Sequence, residues 1–396
     1  MKISRRVADI APSPTMEGAR KAKAMCAEGK DVLSFAVGEP DFPTPENIIN
    51  AAVIAMDEQK TKYTNASGID ELKAAIVAAT RRDIGVQYDT SEVCISNGAK
   101  HALSNVFATL IEPGDEVIVL APYWVTYPEL INLYGGKTVE VLATGESDFQ
   151  PDSSEIAAAI TDKTVAVCIN SPNNPSGGVL NEQSISDIAR LVIDNDLTLI
   201  SDEIYKAILF DGRDYLSPAA LPGMKERTII IDGVAKAYSM TGWRIGWSLA
   251  PADFTKPLIS LQSQQTSNAN TIAQWASVEA LNGAQDSVEK MRREFEQRRD
   301  RIIPALQAID GVKCAMPAGA FYAFPDISSH FGRTLGGRRI NTSLDMTDYL
   351  LAEAWISTVP GSAFGAEGYI RISFACSMEQ IDEGVHRLDK ALTGAS

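Results

Sequence analysis

One lysine of this chain closely follows an apolar run, at a place where a strand normally leads into a polar surface turn. Lys236 lies in the stretch "DGVAKAYSMTGWRIGW" with small residues on both sides of it, and Arg244 comes eight residues later. Partial burial among small residues disfavours the charged form of an amine and therefore lowers its pKa. Such an amine is a nucleophile that condenses with aldehydes. A lone lysine is usually solvated, whereas an amine that is desolvated at this position can form a Schiff base with an aldehyde cofactor.

Asp202 is a candidate for a fixed negative charge, because it comes directly after the apolar run "LTLIS" (197–201). In one interpretation it caps a helix or pairs with a basic residue. In the other, its carboxylate faces a cationic ring nitrogen. At about 4 Å and an effective dielectric constant near 20, that attraction is on the order of 4 kcal/mol, or roughly three pKa units. A pyridine nitrogen held in this way stays protonated near neutral pH.

The stretch "NGAKHALSNVF" (97–107) places small residues between a strand and the start of a helix. Backbone N–H groups at a helix start are unpaired and carry partial positive charge, so this position suits a phosphate group. A plain Asn-Gly turn is the alternative interpretation. The basic side chains of Lys100 and Arg244 favour phosphate binding if the fold brings them together.

Three further features are each ambiguous when taken alone. Arg371 interrupts the apolar strand pattern "YIRISF", so its guanidinium either extends to solvent or meets a buried anion. Trp124 and Tyr205 are either core aromatic residues or ligand contacts. The stretch "NSPNNPSGG" (170–178), which contains Asn174, has the composition of a turn.

Short β-rich runs alternate with amphipathic helical stretches, which predicts an α/β fold with a mostly parallel sheet covered by helices on both faces. Ligands of such sheets bind beyond the carboxyl ends of the strands, so we expect the segments that follow five of the runs to face one crevice. The predicted strands are "EVCIS" (92–96), "EVIVLA" (116–121), "TVAVCIN" (164–170), "LTLIS" (197–201), "TIIID" (228–232) and "RIGWSLA" (244–250). The stretch "SISDIARLVIDND" predicts a crossover helix. Its expected buried stripe consists of Ile185, Ile188, Ala189, Val192 and Ile193.

Length and composition indicate two domains. With 396 residues, of which 45% are hydrophobic, the chain can bury a large core. A long charged helical stretch (287–309) and a final strand, "YIRISFA" (369–375), lie outside the alternating region. We therefore predict a large domain over 41–294 and a smaller domain that combines 1–40 with 295–396.

Charge and motif content exclude several classes of function. The net charge of −15 opposes binding to nucleic acid, and no window approaches the length of an apolar membrane span. The amino-terminal stretch lacks the apolar core of a secretory signal, so we expect a cytoplasmic protein. The five cysteines and three histidines are too scattered for a disulfide framework or a metal site. The G-x-G-x-x-G motif of nicotinamide-dependent enzymes and the G-x-S-x-G motif of serine hydrolases are both absent, so neither class has support from the sequence.

Together these segments resemble a known family over nearly the whole chain. The segment "GVAKAYSMTGWRIG" (233–246) is similar to the cofactor-lysine signature of the class I, fold-type I pyridoxal-phosphate aminotransferases. The resemblance implies pyridoxal 5'-phosphate (PLP) as cofactor. It also implies fold type I, with a mostly parallel seven-stranded sheet in the large domain and a smaller α+β domain. Other segments that look like the family, in the family's order, are "AVGEPDFPTP" (36–45), "KYTNASGIDELKAAI" (62–76), "PYWVTYP" (122–128), "NSPNNPSG" (170–177), "SDEIY" (201–205), "GAFYAF" (319–324) and "YIRISFA" (369–375).

The resemblance implies a role for each cofactor-binding residue. Lys236 takes the position of the lysine that holds the cofactor covalently, and Asp202 that of the acid paired with the pyridinium nitrogen. Asn174 and Tyr205 take the positions of the donors to the ring oxygen, and Trp124 that of the aromatic residue stacked on the ring.

Phosphate and substrate contacts follow from the same resemblance. Gly98, Ala99 and Lys100 fall where the family's phosphate loop lies, and Arg244 resembles the phosphate ligand. Tyr63 falls where a neighbouring subunit reaches that phosphate, which implies a homodimer with active sites shared across the interface. The substrate contacts that the resemblance implies are Gly38 and Arg371 at the α-carboxylate, together with Trp124 and Asn174.

The implied reaction is amino transfer between an L-amino acid and a 2-oxo acid by a ping-pong mechanism, with Lys236 as the catalytic residue. Aspartate or glutamate, with 2-oxoglutarate or oxaloacetate, is the leading pair, because "MTGWRIG" and "TSNANTIAQWA" resemble the aspartate aminotransferase subgroup. Many members of that subgroup have a basic residue where this chain has Ala11, and Thr15 nearby carries no charge. Aromatic or aliphatic amino acids therefore stay open as substrates, as does a PLP-dependent lyase reaction. Ala99 and Ala235 replace the family's frequent Gly and Ser, which favours looser cofactor retention.

Overall fold

The structure, a computed structural model, describes residues 2–8 and 10–394. The α-helices are α1 (Arg5–Ala8), α2 (Pro14–Ala27), α3 (Glu46–Asp57), α4 (Asp70–Ile84), α5 (Ala99–Leu110), α6 (Thr126–Leu133), α7 (Ser153–Ala159), α8 (Glu182–Asp194), α9 (Ala252–Gln265), α10 (Thr271–Asn282), α11 (Asp286–Gln307), α12 (Ser343–Tyr349) and α13 (Met378–Thr393). The strands are β1 (Leu33–Ser34), β2 (Val93–Ser96), β3 (Glu116–Ala121), β4 (Lys137–Leu142), β5 (Thr164–Asn170), β6 (Thr198–Asp202), β7 (Thr228–Gly233), β8 (Gly246–Leu249), β9 (Tyr322–Ala323), β10 (Thr334–Leu335), β11 (Arg338–Arg339), β12 (Ile356–Ser357), β13 (Val359–Pro360) and β14 (Ile370–Ser373). Among these helices, none combines the length and apolar character that a membrane span requires.

Seven strands form the central sheet, in the order β2-β8-β7-β6-β5-β3-β4. The neighbours from β7 to β4 pair in parallel, whereas β8 runs antiparallel to both β2 and β7. All six runs that the sequence predicts as strands belong to this sheet, and the edge strand β4 is the seventh. The predicted mostly parallel, seven-stranded α/β fold is confirmed.

Helices cover both faces of the sheet, because alternate residues of each central strand are apolar and point to opposite sides. Along β5, Ala166 and Cys168 belong to the core that includes residues of α5. Their neighbours Val167 and Ile169 belong to the core that includes residues of α8. The two cores hold the sheet between two layers of helices. Loops lie at its edges and at the ends of its strands.

Helix α8 confirms the predicted crossover helix, with one correction to its buried stripe. Ile185, Ile188, Ala189 and Val192 are buried as expected, but Ile193 is 40% exposed. At about 100° per residue, Ile193 lies beyond Ala189 at the margin of the stripe, whereas the other four residues lie within it.

A separate core combines residues from both chain ends. Strands β13, β14 and β9 form an antiparallel sheet, and β1 pairs in parallel with β12. Leu33 and Phe35 near one end of the chain share this core with Leu388 and Leu392 near the other, and residues of α11 complete it. This grouping supports the proposed smaller domain, although the proposed boundary at 295 falls inside the continuous helix α11.

Candidate active site

A cavity of about 350 Å³ lies beyond the carboxyl ends of the parallel strands. The segments that follow β2, β3, β5, β6 and β7 all contribute to its lining, as the alternating pattern predicts. Because β8 runs in the opposite direction, its amino end and the preceding Arg244 reach the same edge of the sheet. The sequence-predicted residues that line the cavity are Gly38, Ala99, Lys100, Trp124, Asn174, Asp202, Tyr205, Lys236, Arg244 and Arg371.

Lys236 enters this cavity from the loop after β7. Its Nζ donates a hydrogen bond to the carbonyl oxygen of Gly38 at 2.5 Å and lies 5.7 Å from the ring centroids of Tyr205 and Phe321. Burial, together with the nearby charge of Arg371, lowers the pKa of the Lys236 amine to about 8. The lowered pKa expected from the sequence is confirmed. A free amine of this kind is partly neutral near physiological pH, as a proton acceptor requires.

Asp202 is the last residue of β6 and is 3% exposed. The Tyr127 hydroxyl donates a hydrogen bond to one carboxylate oxygen at 2.7 Å, and the Ile204 N–H donates to the other at 3.2 Å. Burial raises the pKa of Asp202 to about 6, and the hydrogen bond from Tyr127 opposes that rise. The carboxyl group therefore lines the cavity in an apolar setting, where a cation would stabilise its ionised form.

The start of α5 and Arg244 form a cationic corner of the cavity. Gly98 precedes α5 with a φ of +87°, and a Cβ at this position would lie 2.7 Å from the Arg244 guanidinium. Glycine is therefore required here for both backbone conformation and space. The Lys100 ammonium lies 4.9 Å from the centroid of the Trp124 ring. Burial, together with the charge of Arg244, lowers the pKa of Lys100, and both basic side chains line the cavity.

Arg371 is buried, with 2% exposure, and does not extend to solvent. Its guanidinium donates to Oδ1 of Asn174 at 2.8 Å and to the carbonyl oxygen of Ala36, and its Cζ lies 4.7 Å from the Tyr322 ring centroid. Among the described residues its Nε has no hydrogen-bond partner. Both of these acceptors are neutral, and among the described residues no acidic side chain pairs with the guanidinium. A buried cation without an acidic partner is unfavourable, and an incoming carboxylate would compensate it.

Comparison with known proteins identifies the family. Residues 30–388 match the family described as aminotransferase class I and II. The chain belongs to this family. It is 43% identical to an aspartate aminotransferase from Bacillus sp. (strain YM-2), over 98% of each chain.

Solved aminotransferase structures have the same fold as this chain. The aspartate aminotransferase from Rhizobium meliloti superposes with a TM-score of 0.96 at 38% identity and covers 100% of both chains. The Thermus thermophilus aspartate aminotransferase, solved with maleate, superposes with a TM-score of 0.93 at 39% identity, over 99% of this chain and 100% of its own. The predicted fold type and the aminotransferase activity are therefore confirmed.

As a member of this family, the aminotransferase uses PLP, and its cavity fits the chemistry of that cofactor. The buried carboxyl of Asp202 suits a cationic ring nitrogen, and the amine of Lys236 suits an aldehyde carbon. The corner formed by Gly98 and Arg244 suits a phosphate group, because any side chain at Gly98 would fill the space next to the guanidinium.

Two tyrosines next to the predicted site residues of the aminotransferase are not themselves among them. Tyr127 bonds to Asp202, and the Tyr322 hydroxyl lies 2.7 Å from the Tyr205 hydroxyl. Both tyrosines line the cavity. Each also lies in a segment that resembles the family, "PYWVTYP" or "GAFYAF", so the sequence carried a signal for both.

Two predicted site residues of the aminotransferase are not in the lining of the cavity. Gly98 lies behind the guanidinium of Arg244, where it makes room for that side chain. Tyr63 is 90% exposed and contributes nothing to the cavity of its own chain.

Proposed function

We propose that this aminotransferase moves the amino group of aspartate or glutamate to 2-oxoglutarate or oxaloacetate in a ping-pong reaction. The observation that carries the proposal is the presence of two separate cations beside the phosphate corner of one cavity. Among the described residues no acidic side chain pairs with the buried Arg371, and the Lys100 ammonium lies over the Trp124 ring on the wall formed by α5. A dicarboxylate offers one carboxylate to each cation. The relatives named aspartate aminotransferase support this class, as does maleate, a dicarboxylate, in the Thermus structure.

Lys236 is the proposed catalytic residue. When bound, PLP supplies an electron sink that makes the Cα proton of the amino acid removable. The Nζ of Lys236 then accepts this proton and later returns it, a role typically worth about 10²–10⁴-fold in rate. The carbonyl of Gly38 is the hydrogen-bond acceptor that orients the amine within the cavity.

The remaining residues are assigned to binding. When PLP is bound, Asp202 would supply the negative charge for the ring nitrogen, Asn174 and Tyr205 would donate to the ring oxygen, and Trp124 would contact the ring. We assign the phosphate to Gly98, Ala99 and Arg244. The resemblance implies that Lys100 belongs to the phosphate loop. Because the Lys100 ammonium lies over the Trp124 ring, we propose instead that it binds the second carboxylate of the substrate. The α-carboxylate is assigned to Gly38 and Arg371.

Replacing Arg371 with methionine should raise the KM for aspartate by roughly 10–150-fold, because charge-assisted hydrogen bonds worth about 1.5–3 kcal/mol are lost. Methionine keeps apolar volume beside Tyr322, so the variant should still fold. Steady-state kinetics with aspartate as the varied substrate provide the measurement. A KM equal to that of the wild type would remove Arg371 from carboxylate binding.

An aromatic or aliphatic amino acid is the second candidate substrate. The wall formed by the first turn of α2 contributes Thr15 and Met16 to the cavity, and neither is charged. Ala11 is not part of the lining, and its backbone N–H donates instead to Glu129 at 3.2 Å. Met16 offers apolar surface that suits a large apolar side chain.

A donor panel with 2-oxoglutarate as acceptor separates these candidates. Aspartate should have the highest kcat/KM of aspartate, phenylalanine, leucine and alanine. The Lys100→Met variant should lose at least about tenfold more kcat/KM with aspartate than with phenylalanine, because only aspartate has a second carboxylate. A wild-type preference for phenylalanine or leucine would favour the second candidate. Stoichiometric glutamate formation marks transfer, whereas pyruvate and ammonia as products would indicate a lyase.

The proposal includes a homodimer in which Tyr63 of one subunit reaches the phosphate of the other. Tyr63 is almost fully exposed in the loop after α3, and α3 leaves Ile49, Val53 and Ile54 exposed. An apolar face of this kind suits a second copy of the chain. Ile54→Glu should therefore shift the enzyme from dimer to monomer in sedimentation velocity and weaken PLP retention. A wild-type enzyme that sediments as a monomer would contradict the shared site.

The proposed location is the cytoplasm, and the proposed small-molecule partners are amino acids and 2-oxo acids. The net charge of −15 opposes a nucleic-acid partner. Neither a membrane nor a nucleic acid enters the proposed function.

A further inference from the structure

Two backbone carbonyls beside the cavity belong to one short segment, residues 36–44. The carbonyl of Ala36 accepts a hydrogen bond from Arg371, and the carbonyl of Gly38 accepts one from Lys236 at 2.5 Å. The segment thus contacts both cationic side chains on which substrate binding and proton transfer depend. The position of the segment's backbone therefore sets the positions of these two carbonyl acceptors.

Asp41 anchors the segment to helix α11. Its two carboxylate oxygens accept hydrogen bonds from the Arg298 guanidinium at 2.7 and 2.9 Å. Arg298 is buried, and its guanidinium lies 4.9 Å from the Phe42 ring centroid and 5.5 Å from that of Phe295. A two-point pair held between aromatic rings fixes orientation as well as distance.

The far end of the segment is held by the loop that carries Lys236. The Ser239 hydroxyl donates to the carbonyl of Phe42, and the Thr44 hydroxyl donates to the carbonyl of Ser239 at 2.7 Å. The indole N–H of Trp243 donates to the same Thr44 hydroxyl at 3.0 Å. The segment is therefore held at two places, by Arg298 of α11 and by the loop that carries Lys236.

We infer that Arg298 is a positioning residue of this aminotransferase. It is not part of the cavity lining, and it acts through Asp41 on the carbonyls of Ala36 and Gly38. Loss of the ion pair lets the segment shift, and a displacement of about 1 Å far from the chemistry can change rates by up to about 100-fold. The inference rests on the proposed role of Arg371 as the site of the substrate α-carboxylate.

The next residue of α11 provides a matched control. Arg299 is 3% exposed, against 7% for Arg298, and its guanidinium bonds to the two carboxylate oxygens of Asp211, each at 2.8 Å. It also lies 4.8 Å from an aromatic ring centroid, that of Phe210. Within the described part of the chain, Phe210 and Asp211 are not in the lining of the cavity. Arg299→Met therefore removes a comparable two-point carboxylate pair from the same helix without releasing segment 36–44, together with the bonds from Arg299 to Asp300 and to the carbonyl of Pro317.

The test compares Arg298→Met, Asp41→Asn and Arg299→Met holoenzymes with the wild type. Three quantities are measured: the thermal unfolding midpoint, kcat and KM for the best amino donor, and the Kd of succinate, an unreactive dicarboxylate, by titration calorimetry. Arg298→Met should raise KM and the succinate Kd by about 10–100-fold, and Asp41→Asn should raise both by a smaller factor. Arg299→Met should change both by less than about twofold while lowering the midpoint at least as much as Arg298→Met does, because Arg299 has more hydrogen-bond partners.

Equal changes in KM for Arg298→Met and Arg299→Met would overturn the inference. They would mean that the Arg298 ion pair affects substrate binding no more than an ion pair that only stabilises the fold. An unchanged KM in Arg298→Met would overturn it as well. If Arg298→Met does not fold, Asp41→Asn against Arg299→Met decides in its place. Failure of the wild type to bind succinate would instead contradict the dicarboxylate class, and the KM comparison would still decide the role of Arg298.

Discussion

Replacement of Lys236 by alanine is expected to lower kcat by at least about 10²–10⁴-fold, because the variant lacks the group that accepts and returns the Cα proton. The remaining contacts, above all Arg244 and Asp202, should still hold PLP without a covalent bond. Stopped-flow and steady-state assays with aspartate and 2-oxoglutarate measure the loss, and fluorescence titration measures cofactor binding.

Lys73→Ala is the control for the removal of a buried lysine. Lys73 is 8% exposed and pairs with Asp70 at 2.7 Å on α4, and it is not in the lining of the cavity. This variant should keep its turnover. Added methylamine should restore part of the activity of Lys236→Ala, because a small amine can occupy the vacated space and carry the proton. Full turnover without any added amine would remove Lys236 from the mechanism.

The Asp202→Asn variant should lose roughly 10³-fold in kcat, since an ionic interaction of about 4 kcal/mol with the ring nitrogen is removed. The amide keeps the size of the side chain and can still accept the hydrogen bond from Tyr127. Circular dichroism should therefore show an intact fold. Turnover equal to that of the wild type would mean that the ring nitrogen needs no acidic partner.

Although Asp202→Asn should lower turnover, it should raise the stability of the cofactor-free protein. Burial raises the pKa of Asp202 from 3.8 to about 6, so the folded state binds this proton more tightly than the unfolded chain does. Between these two values stability falls as pH rises, and above them the ionised carboxyl costs the folded state roughly 3 kcal/mol. Chemical denaturation of the cofactor-free proteins at about pH 8 should find Asp202→Asn more stable, and the difference should vanish below about pH 4. A variant less stable at the higher pH would show that Asp202 is not an isolated buried charge.

The meeting of Asn174, Asp202 and Lys236 in one cavity is predictable from the sequence. Each follows an apolar run that alternates with a helical stretch, and parallel strands place their carboxyl ends on one edge of a sheet. The small residues around Lys236 also predict the direction of its pKa shift. These inferences need only local pattern and the general geometry of parallel sheets.

The surroundings of Arg371 are not predictable from its own segment. Its acceptors Asn174 and Ala36 are separated from it by 197 and 335 residues along the chain. Tyr127, the donor to Asp202, is separated from it by 75 residues. Contacts of this kind depend on tertiary packing, which leaves no periodic signal in a single sequence.

Two further features depend on tertiary packing rather than on a local pattern. Strand β4 lies at the edge of the sheet, and Val141 is its buried residue, so no continuous apolar run marks it. Arg244 reaches the cavity because β8 runs antiparallel to its neighbours. Strand direction depends on the whole chain path, so the position of Arg244 required either the structure or the resemblance to the family.

Covalent attachment of PLP to Lys236 underlies every role proposed for the cavity, and one measurement tests it directly. The wild-type enzyme is incubated with PLP, reduced with borohydride, digested and mapped by mass spectrometry. We expect a single modified peptide with the reduced cofactor on Lys236, and none from Lys236→Ala. A cofactor found on Lys100 or another lysine, or no modified peptide at all, would contradict the assignment.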